Sequence, residues 1–219
     1  MKLTVTVVSI SAAALCAPAF ADFLVPNGVN APWVRGVGGP SAYAQWESFA
    51  SVAGPNTPGM GPTVVGPLAP GAPAFNVAAA GPTAVRLGSG NIYSGTSPMS
   101  VTVTVPGFGL SGGALTTILL QTRTQGTEIN PATMLIGGVA PSSVTELSRI
   151  SLGAQGAQVE TAWRWDLLDS GGAYTIAFSS GGPFFSLDAV AVDIFDDIPA
   201  PGAAALLGLG VLAAARRRR

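Results

Sequence analysis

The sequence predicts an all-β protein, with an antiparallel β-sandwich over residues 22–197, an N-terminal signal peptide and a C-terminal transmembrane helix. Three observations predict the sandwich. Apolar and polar residues alternate in several short runs, and Gly and Pro separate these runs at intervals of about ten residues. Between the two terminal segments, no amphipathic stretch is long enough for a crossover helix. A body of this length can bury a substantial core within one domain.

Residues 1–21 have the three parts of a secretory signal peptide: a single early lysine, an apolar run and a small-residue cleavage site. Ala19 and Ala21 occupy the −3 and −1 positions, so signal peptidase is expected to cut before Asp22. The alternative is a buried N-terminal helix or strand. Cleavage there would remove Cys16, the only cysteine of the chain, so we expect the mature protein to fold without disulfides.

The first part of the body, residues 22–98, is rich in Gly and Pro, with 11 Pro and 13 Gly in 77 residues. Because Pro breaks helices and Gly weakens them, no helix of ordinary length is expected. The stretch 45–49 could be one helical turn or a strand, and 54–73 either an ordered or a flexible surface loop. Short apolar pieces lie between the turn signals, at 43–49, 75–80 and 84–87.

Residues 99–197 predict regular strands. Alternation predicts strands at 99–105 and 159–167, and 115–124 is apolar enough to be covered on both faces at its centre. In the second alternating run, Trp163 and Trp165 fall on the apolar face and are expected in the core. Turn signals at 169–172 and 181–183 then predict three consecutive antiparallel strands. These spacings favour a jelly roll among the sandwiches.

The C-terminal segment, residues 198–219, is apolar until its last four residues. It carries no charge over 198–215, and a helix of that length would span roughly 27 Å, close to a hydrocarbon core. The membrane helix is expected at about 203–215. The arginines at 216–219 would stay on the cytoplasmic side, which places the body across the membrane. The alternative is a buried C-terminal helix of a soluble domain.

This tail resembles the PEP-CTERM sorting signal of bacterial exosortase substrates, in which a short Pro-x-Pro motif, an apolar helix and an Arg cluster follow in that order. The matching residues are Pro199, Ala200, Pro201 and Gly202, followed by Arg216, Arg217, Arg218 and Arg219. The sequence departs from the family at Ala200, where the namesake motif has Glu, which leaves the identity of the processing enzyme open. The resemblance implies transient anchoring in the cytoplasmic membrane and cleavage by an exosortase-like protease. Release or attachment at the cell surface would follow.

A second resemblance concerns the closing strand of the body. Residues 185–193 resemble the last strand of galactose-binding-like jelly rolls, which occur in many secreted bacterial proteins. Domains of that kind often hold a structural Ca²⁺ near their termini. The resemblance implies the jelly-roll fold and no particular activity.

The composition excludes several functional classes. The body carries eleven carboxylates against five arginines, a formal charge of −6, and should repel nucleic acid and attract divalent cations. The chain has no His and the expected mature part has no Cys or Lys, which excludes the usual nucleophilic triads and Cys/His zinc sites. A carboxylate-dependent glycosidase stays possible, although Glu160 and Asp166 on one strand would lie about 20 Å apart, too far for a catalytic pair.

Two sets of residues are candidate binding sites. Clustered carboxylates near the end of the last strand could hold Ca²⁺, which prefers oxygen ligands, or could be solvated or structurally hydrogen-bonded acids. Aromatic side chains in the Gly/Pro-rich part could form an exposed platform for sugar rings. The acidic set is Asp188, Asp193, Asp196 and Asp197, and the aromatic set is Trp33, Tyr43 and Trp46.

The sequence therefore predicts an exported, non-catalytic protein of the cell surface or extracellular matrix. Its expected partners are signal peptidase, an exosortase-like protease, the inner membrane and extracellular polysaccharide, with no cofactor beyond a structural Ca²⁺. The second hypothesis is a carbohydrate-binding module of the extracellular polymer layer. The third is an envelope hydrolase that uses carboxylates.

Overall fold

The computed structural model describes residues 33, 39–110, 115–168 and 170–197. Within these residues the protein is all-β, with antiparallel strands in two sheets, which confirms the predicted all-β class and the antiparallel pairing. The predicted signal peptide and the predicted C-terminal helix lie outside the described residues. In the part of the chain that is described, no helix has the length and apolarity needed to cross a membrane.

Twelve strands and two short 3-10 turns make up the described part of the chain. The strands are β1 Ser41–Trp46, β2 Met60–Val65, β3 Asn76–Ala80, β4 Ala84–Arg86, β5 Ile92–Ser94, β6 Ser100–Pro106, β7 Leu115–Gly126, β8 Leu135–Ile136, β9 Ser143–Ser151, β10 Ala157–Leu167, β11 Ala173–Ser179 and β12 Phe185–Asp197. The 3-10 turns are Pro131–Thr133 and Gly153–Gln155.

The two sheets differ in size. The larger has eight strands in the order β2-β1-β12-β7-β10-β9, and the short hairpin β4-β5 joins it where β5 pairs with the start of β12. The smaller has the order β3-β6-β11-β8. One apolar core fills the space between the sheets, because inward-facing residues of both contribute to it. The arrangement is that of a β-sandwich.

Alternation along the strands places the predicted core residues correctly. Val101, Val103 and Val105 of β6 are buried, whereas the threonines between them are half-buried. On β10, Trp163 and Trp165 lie in the core at 3% and 1% exposure, as their alternation predicts. β7 is buried on both faces over its centre, which confirms the prediction for 115–124.

The Gly/Pro-rich part also forms strands, and these are short. The predicted apolar pieces overlap β1, β3 and β4. The stretch 45–49 is strand as far as Trp46 and bends afterwards. Within 54–73 the structure forms β2, which pairs with β1 at the edge of the larger sheet and leaves most of its side chains exposed. Strand pairing at this edge needs only backbone groups, so it leaves little signal in the side-chain pattern.

The prediction that the last three strands form one consecutive antiparallel run is wrong. β10, β11 and β12 exist near their predicted bounds, but none of them pairs with another of the three. β10 and β12 belong to the larger sheet, whereas β11 lies between β6 and β8 in the smaller one. The chain therefore crosses from one sheet to the other at each turn. Turn residues mark where a strand ends, but they do not determine which sheet the next strand joins.

β12 is the central strand of the larger sheet. Over its 13 residues it pairs with β1 and β5 on one side and with β7 on the other. Nearly every side chain along it is buried, which explains its apolar composition on both faces. A bulge at Asp188, where the register shifts between Leu187 and Ala189, interrupts the pairing with β7.

Candidate functional site

A cleft of about 980 Å³ lies on the outer face of the larger sheet, at the end where β12 begins. Its floor contains Tyr93 of β5, Ser186 of β12 and Gln125 of β7. These three residues are neighbours in register, since Ser186 pairs with Tyr93 on one side and with Gln125 on the other. The adjacent Phe185 points the opposite way, into the core, so the floor residues face outward.

Two turns form the walls of the cleft. The turn between β4 and β5 contributes Leu87, Ser89 and Asn91 on one side, and the turn between β9 and β10 contributes residues 152 and 154–156 on the other. Asn91 is tied to the floor because its Nδ2 donates a hydrogen bond to Ser186 Oγ at 3.4 Å. Gln155 is exposed on the far wall. Both walls thus present polar groups towards the floor.

The first wall is held in place by backbone hydrogen bonds. Leu87 N donates to Asn91 O at 2.9 Å, and Gly90 N donates to Leu87 O at 3.0 Å. The turn is also attached to the bend after β1, where Phe49 N donates to Gly90 O at 2.8 Å. Gly90 has a φ of 96°, and a Cβ there would lie 2.2 Å from Ser48 Oγ. The close approach of these two segments therefore requires glycine.

Phe184 presents an aromatic ring at the rim of the cleft. Its side chain is 61% exposed, and its φ of 61° is a conformation that bulky side chains seldom adopt. The backbone is held there because Thr127 N donates to Phe184 O at 3.0 Å and the next residue, Phe185, is anchored in the core. Such strain costs about 1–3 kcal/mol and is concentrated at functional sites. Because its ring is exposed, Phe184 does not offset this strain by packing in the core.

The cleft is acidic. Among its described lining residues Glu47 and Asp188 are the two charged ones, and both carry carboxylates. Glu47 Oε1 accepts a hydrogen bond from Gln45 Nε2 at 2.7 Å, a neutral partner. Asp188 lies 3.7 Å from a guanidinium nitrogen of Arg123, whose Nε is closer to Glu160, at 2.6 Å. The guanidinium is thus shared between two carboxylates, with the shorter contact on Glu160.

The aromatic residues predicted as a sugar platform do not form one. Trp33, Tyr43 and Trp46 are 4%, 5% and 0% exposed, so the expectation of an exposed platform is wrong. Trp46 points into the core, and Trp33 stacks on Phe195 with ring centroids 5.2 Å apart. Burying these large rings removes much apolar surface from water, which favours burial over display even in a Gly/Pro-rich segment.

The four acidic residues predicted as a Ca²⁺ site do not come together either. Asp188, Asp193, Asp196 and Asp197 all belong to β12, and an extended strand separates its first and last aspartates by about 30 Å. Asp193 and Asp196 are three residues apart, so their side chains point to opposite faces. Nowhere in the described residues do three metal-ligating side chains gather. Only Asp188 belongs to the cleft.

Asp196 instead holds the opposite end of the sandwich together. Its carboxylate accepts hydrogen bonds from Thr116 Oγ1 at 2.7 Å and from Ser170 Oγ. Ser170 Oγ in turn accepts a bond from Leu110 N at 2.9 Å. Asp196 is fully buried, and it links β7, β12 and two connecting segments. This is the structurally hydrogen-bonded acid that was the alternative to a metal ligand.

Most other carboxylates pair with arginines at the surface. Hydrogen bonds from Arg149 lower the pKa of Glu128 and of Glu146 below its usual range, and the two carboxylates raise the pKa of Arg149. Burial opposes ionisation of Asp166, but hydrogen bonds from Arg164, Thr117 and Ser142 outweigh it, so its pKa is lowered. These acids are held ionised, which suits ion pairing and not proton donation.

Sequence reasoning missed most of the cleft. Its residues come from five separate parts of the chain, between Glu47 and Asp188, and are brought together only by strand pairing. The turn signal at residues 88–90 and the aromatic residue Phe184 mark two of these parts. Nothing along the chain indicates that they are neighbours.

The remaining predicted sites lie outside the described residues. These are the signal-peptide cleavage residues Ala19, Ala21 and Asp22 and the sorting residues at 199–202 and 216–219. No protein-family model matches this chain, and no curated protein or solved structure is significantly similar to it.

Proposed function

We propose that this chain is an exported, non-catalytic protein of the cell surface or extracellular matrix, delivered by its C-terminal PEP-CTERM-like signal. The proposal is supported by three features in a fixed order along the chain. An apolar leader places Ala19 and Ala21 before Asp22, an acidic body without lysine follows, and an apolar tail ends in four arginines. Both terminal segments independently place the body on the same side of the membrane. An exosortase-like protease is the proposed processing partner.

The fold supports an extracellular structural role. A β-sandwich whose core is closed by packing and by the buried Asp196 network needs no disulfide for its assembly. Within this architecture we also propose a jelly-roll topology, as in galactose-binding-like domains. It is supported by the alternation of β10, β11 and β12 between the two sheets.

Expression in an exosortase-containing bacterium tests the export proposal. We expect the protein in the surface or matrix fraction, with Asp22 as the new N-terminus and a C-terminus near 199–202, as intact mass spectrometry would show. Deletion of 216–219 should leave the tail uncut, because the positive charge that orients the helix is lost. Replacing the four arginines by lysines keeps the charge and should preserve the topology. A cytosolic protein with Met1 and Arg219 intact would overturn the proposal.

The cleft favours a second function, the binding of a carbohydrate of the extracellular polymer layer. Carbohydrate sites combine aromatic faces with convergent hydrogen-bonding groups, and this cleft has Tyr93 and Phe184 beside Asn91, Gln125 and Gln155. Such a site would retain the exported protein in the matrix, so the two functions are compatible. The third hypothesis, a hydrolase, would depend on Glu47 and Asp188 in this cleft, because the carboxylates of Glu128, Glu146 and Asp166 are all held in ion pairs.

A further inference from the structure

We propose that the cleft binds a polysaccharide segment that carries protonated amino groups, with Glu47 and Asp188 as their receptors. This inference rests on the proposed carbohydrate-binding function and adds the charge of the ligand. It is carried by the shape of the cleft, by the polar and aromatic groups on its surface, and by the sign of its charges.

The size and openness of the cleft suit an extended ligand. A volume of about 980 Å³ between two exposed turns is more than one sugar ring needs. The floor is formed by hydrogen-bonded strands and the first wall by the bonded turn at Leu87–Asn91, so both exist before the ligand arrives. A preformed site avoids the cost of ordering loops on binding.

Neutral groups of the cleft match a sugar. Asn91, Gln125 and Gln155 supply amide donors and acceptors for hydroxyl groups, and Tyr93 and Phe184 supply ring faces for the apolar side of a pyranose. Gln125 is oriented by Gln158, whose Oε1 accepts from Gln125 Nε2 at 3.3 Å. Phe184 is the most exposed of the aromatic groups, and its strained backbone holds the ring at the rim.

The charges select the kind of sugar. The described lining of the cleft has two carboxylates and no basic residue. Arg123, which lies beside Gln125 on the same face of β7, contacts Glu160 at 2.6 Å and Asp188 at 3.7 Å, so one guanidinium faces two carboxylates. Glu47 has its hydrogen bond from the neutral amide of Gln45. A cleft with one sign of charge concentrates ligands of the opposite sign and repels uronates and phosphorylated or sulfated sugars.

The two carboxylates line the same cleft and can act on one extended ligand. Glu47 directly follows Trp46, the last residue of β1, whose partner on β12 is Val190, two residues after Asp188. Both carboxylates are half-buried and accessible from the cleft. Amino groups on two sugar units of such a ligand could therefore each meet a carboxylate. Half-buried ion pairs of this kind are screened less than fully exposed ones.

Calorimetric titration of the full chain with oligosaccharides of equal length tests the inference. The probes are oligomers of glucosamine, of N-acetylglucosamine and of galacturonate, at a pH where the amines and carboxylates are charged. We expect glucosamine oligomers to bind about 5- to 30-fold more tightly than the acetylated ones, the gain that two ion pairs provide. Galacturonate oligomers should not bind. Raising NaCl from about 0.1 M to about 1 M should reduce the difference.

Matched variants assign the effect to the cleft. Glu47→Gln and Asp188→Asn should each weaken glucosamine binding about 2- to 5-fold and leave binding of the acetylated oligomer unchanged. Asp197→Asn is the control, since it removes an exposed carboxylate of the same strand at the far end of the sandwich. Phe184→Ala should weaken both oligomers, because it removes a ring face and not a charge. If Asp188→Asn lowers the melting temperature, two measurements still test the charge preference. These are the affinity of Glu47→Gln for the two oligomers and the salt dependence of binding by the native chain.

The outcomes separate the two levels of the proposal. Equal affinity for the amino and acetylated oligomers, or binding of galacturonate, would overturn the charge preference while carbohydrate binding stands. No binding of any oligosaccharide would overturn both the preference and the carbohydrate-binding function. Export and sorting are measured separately by fractionation and mass spectrometry, so neither result affects them.

Discussion

At Trp46, the last residue of β1, the indole ring is buried in the core and its Nε1 donates a hydrogen bond to Asn56 O at 2.7 Å. Ala42 and Ala44 point to the same side and are buried in the same cluster. The small side chains before the large one leave room for the ring between the sheets. The ring is therefore a structural part of the sandwich, and its loss should affect stability before it affects any ligand.

Replacing Trp46 by Ala should lower the free energy of unfolding by about 3–5 kcal/mol, because it leaves a cavity and an unpaired backbone oxygen in the core. Urea denaturation of the full chain, followed by fluorescence of the remaining tryptophans, measures this change. Leu168→Ala is the control, since Leu168 is 88% exposed, and it should change stability by less than about 0.5 kcal/mol. Equal stability of the two variants would contradict the buried position of Trp46.

Among the structural elements, the turns at the cleft end show how backbone geometry positions the site. β7 ends at Gly126, which has a φ of 82° and lies against the backbone of Phe184. A Cβ at this position would lie 2.2 Å from Phe184 O. The carbonyl of Phe184 also accepts the hydrogen bond from Thr127, so the strand end and the rim of the cleft are joined. A side chain at 126 would displace the exposed ring.

We expect Gly126→Ala to destabilise the protein by more than about 2 kcal/mol, through the positive φ and the contact with the Phe184 carbonyl together. Gly137→Ala separates the two causes. Gly137 also has a positive φ, of 55°, but nothing lies within 4 Å of its Cβ position. It should therefore cost only the conformational strain, about 1–2 kcal/mol. Chemical denaturation of both variants gives the comparison, and equal losses would show that the close approach at Gly126 is unimportant.

For the whole molecule, β12 connects the cleft to the point where the tail begins. The cleft includes Ser186 and Asp188 at the start of the strand, and Asp197 is its last residue, two positions before Pro199. Nine residues of strand separate Asp188 from Asp197 by about 30 Å. Because β12 is paired on both sides along its length, this distance is rigid. With the proposed tail in the membrane, the cleft would face away from the cell.

Fluorescent labels at the two ends of the sandwich test this orientation. In a Cys16→Ser background, Asp197→Cys and Ala154→Cys place one label beside the tail and one on the wall of the cleft. We expect spin-labelled lipids to quench the first label and not the second, in membranes of an exporting host without an exosortase. The second label should escape quenching because β12 separates the two ends of the sandwich by about 30 Å, beyond the reach of contact quenching. Quenching of both labels alike would contradict the proposed orientation.

The sequence by itself determined the all-β class, the positions of β6, β7, β10, β11 and β12 and the core positions of Trp163 and Trp165, because alternation with a period of two is a local property of a strand with one buried face. It did not predict β8 or β9. Tertiary structure decided which strands pair, why Trp46 and Trp33 are buried, and how Glu47, Tyr93, Gln125, Phe184 and Asp188 form one cleft. Strand partners are chosen by contacts between distant residues. A residue pattern along the chain does not encode those contacts, so the site became visible only in the folded molecule.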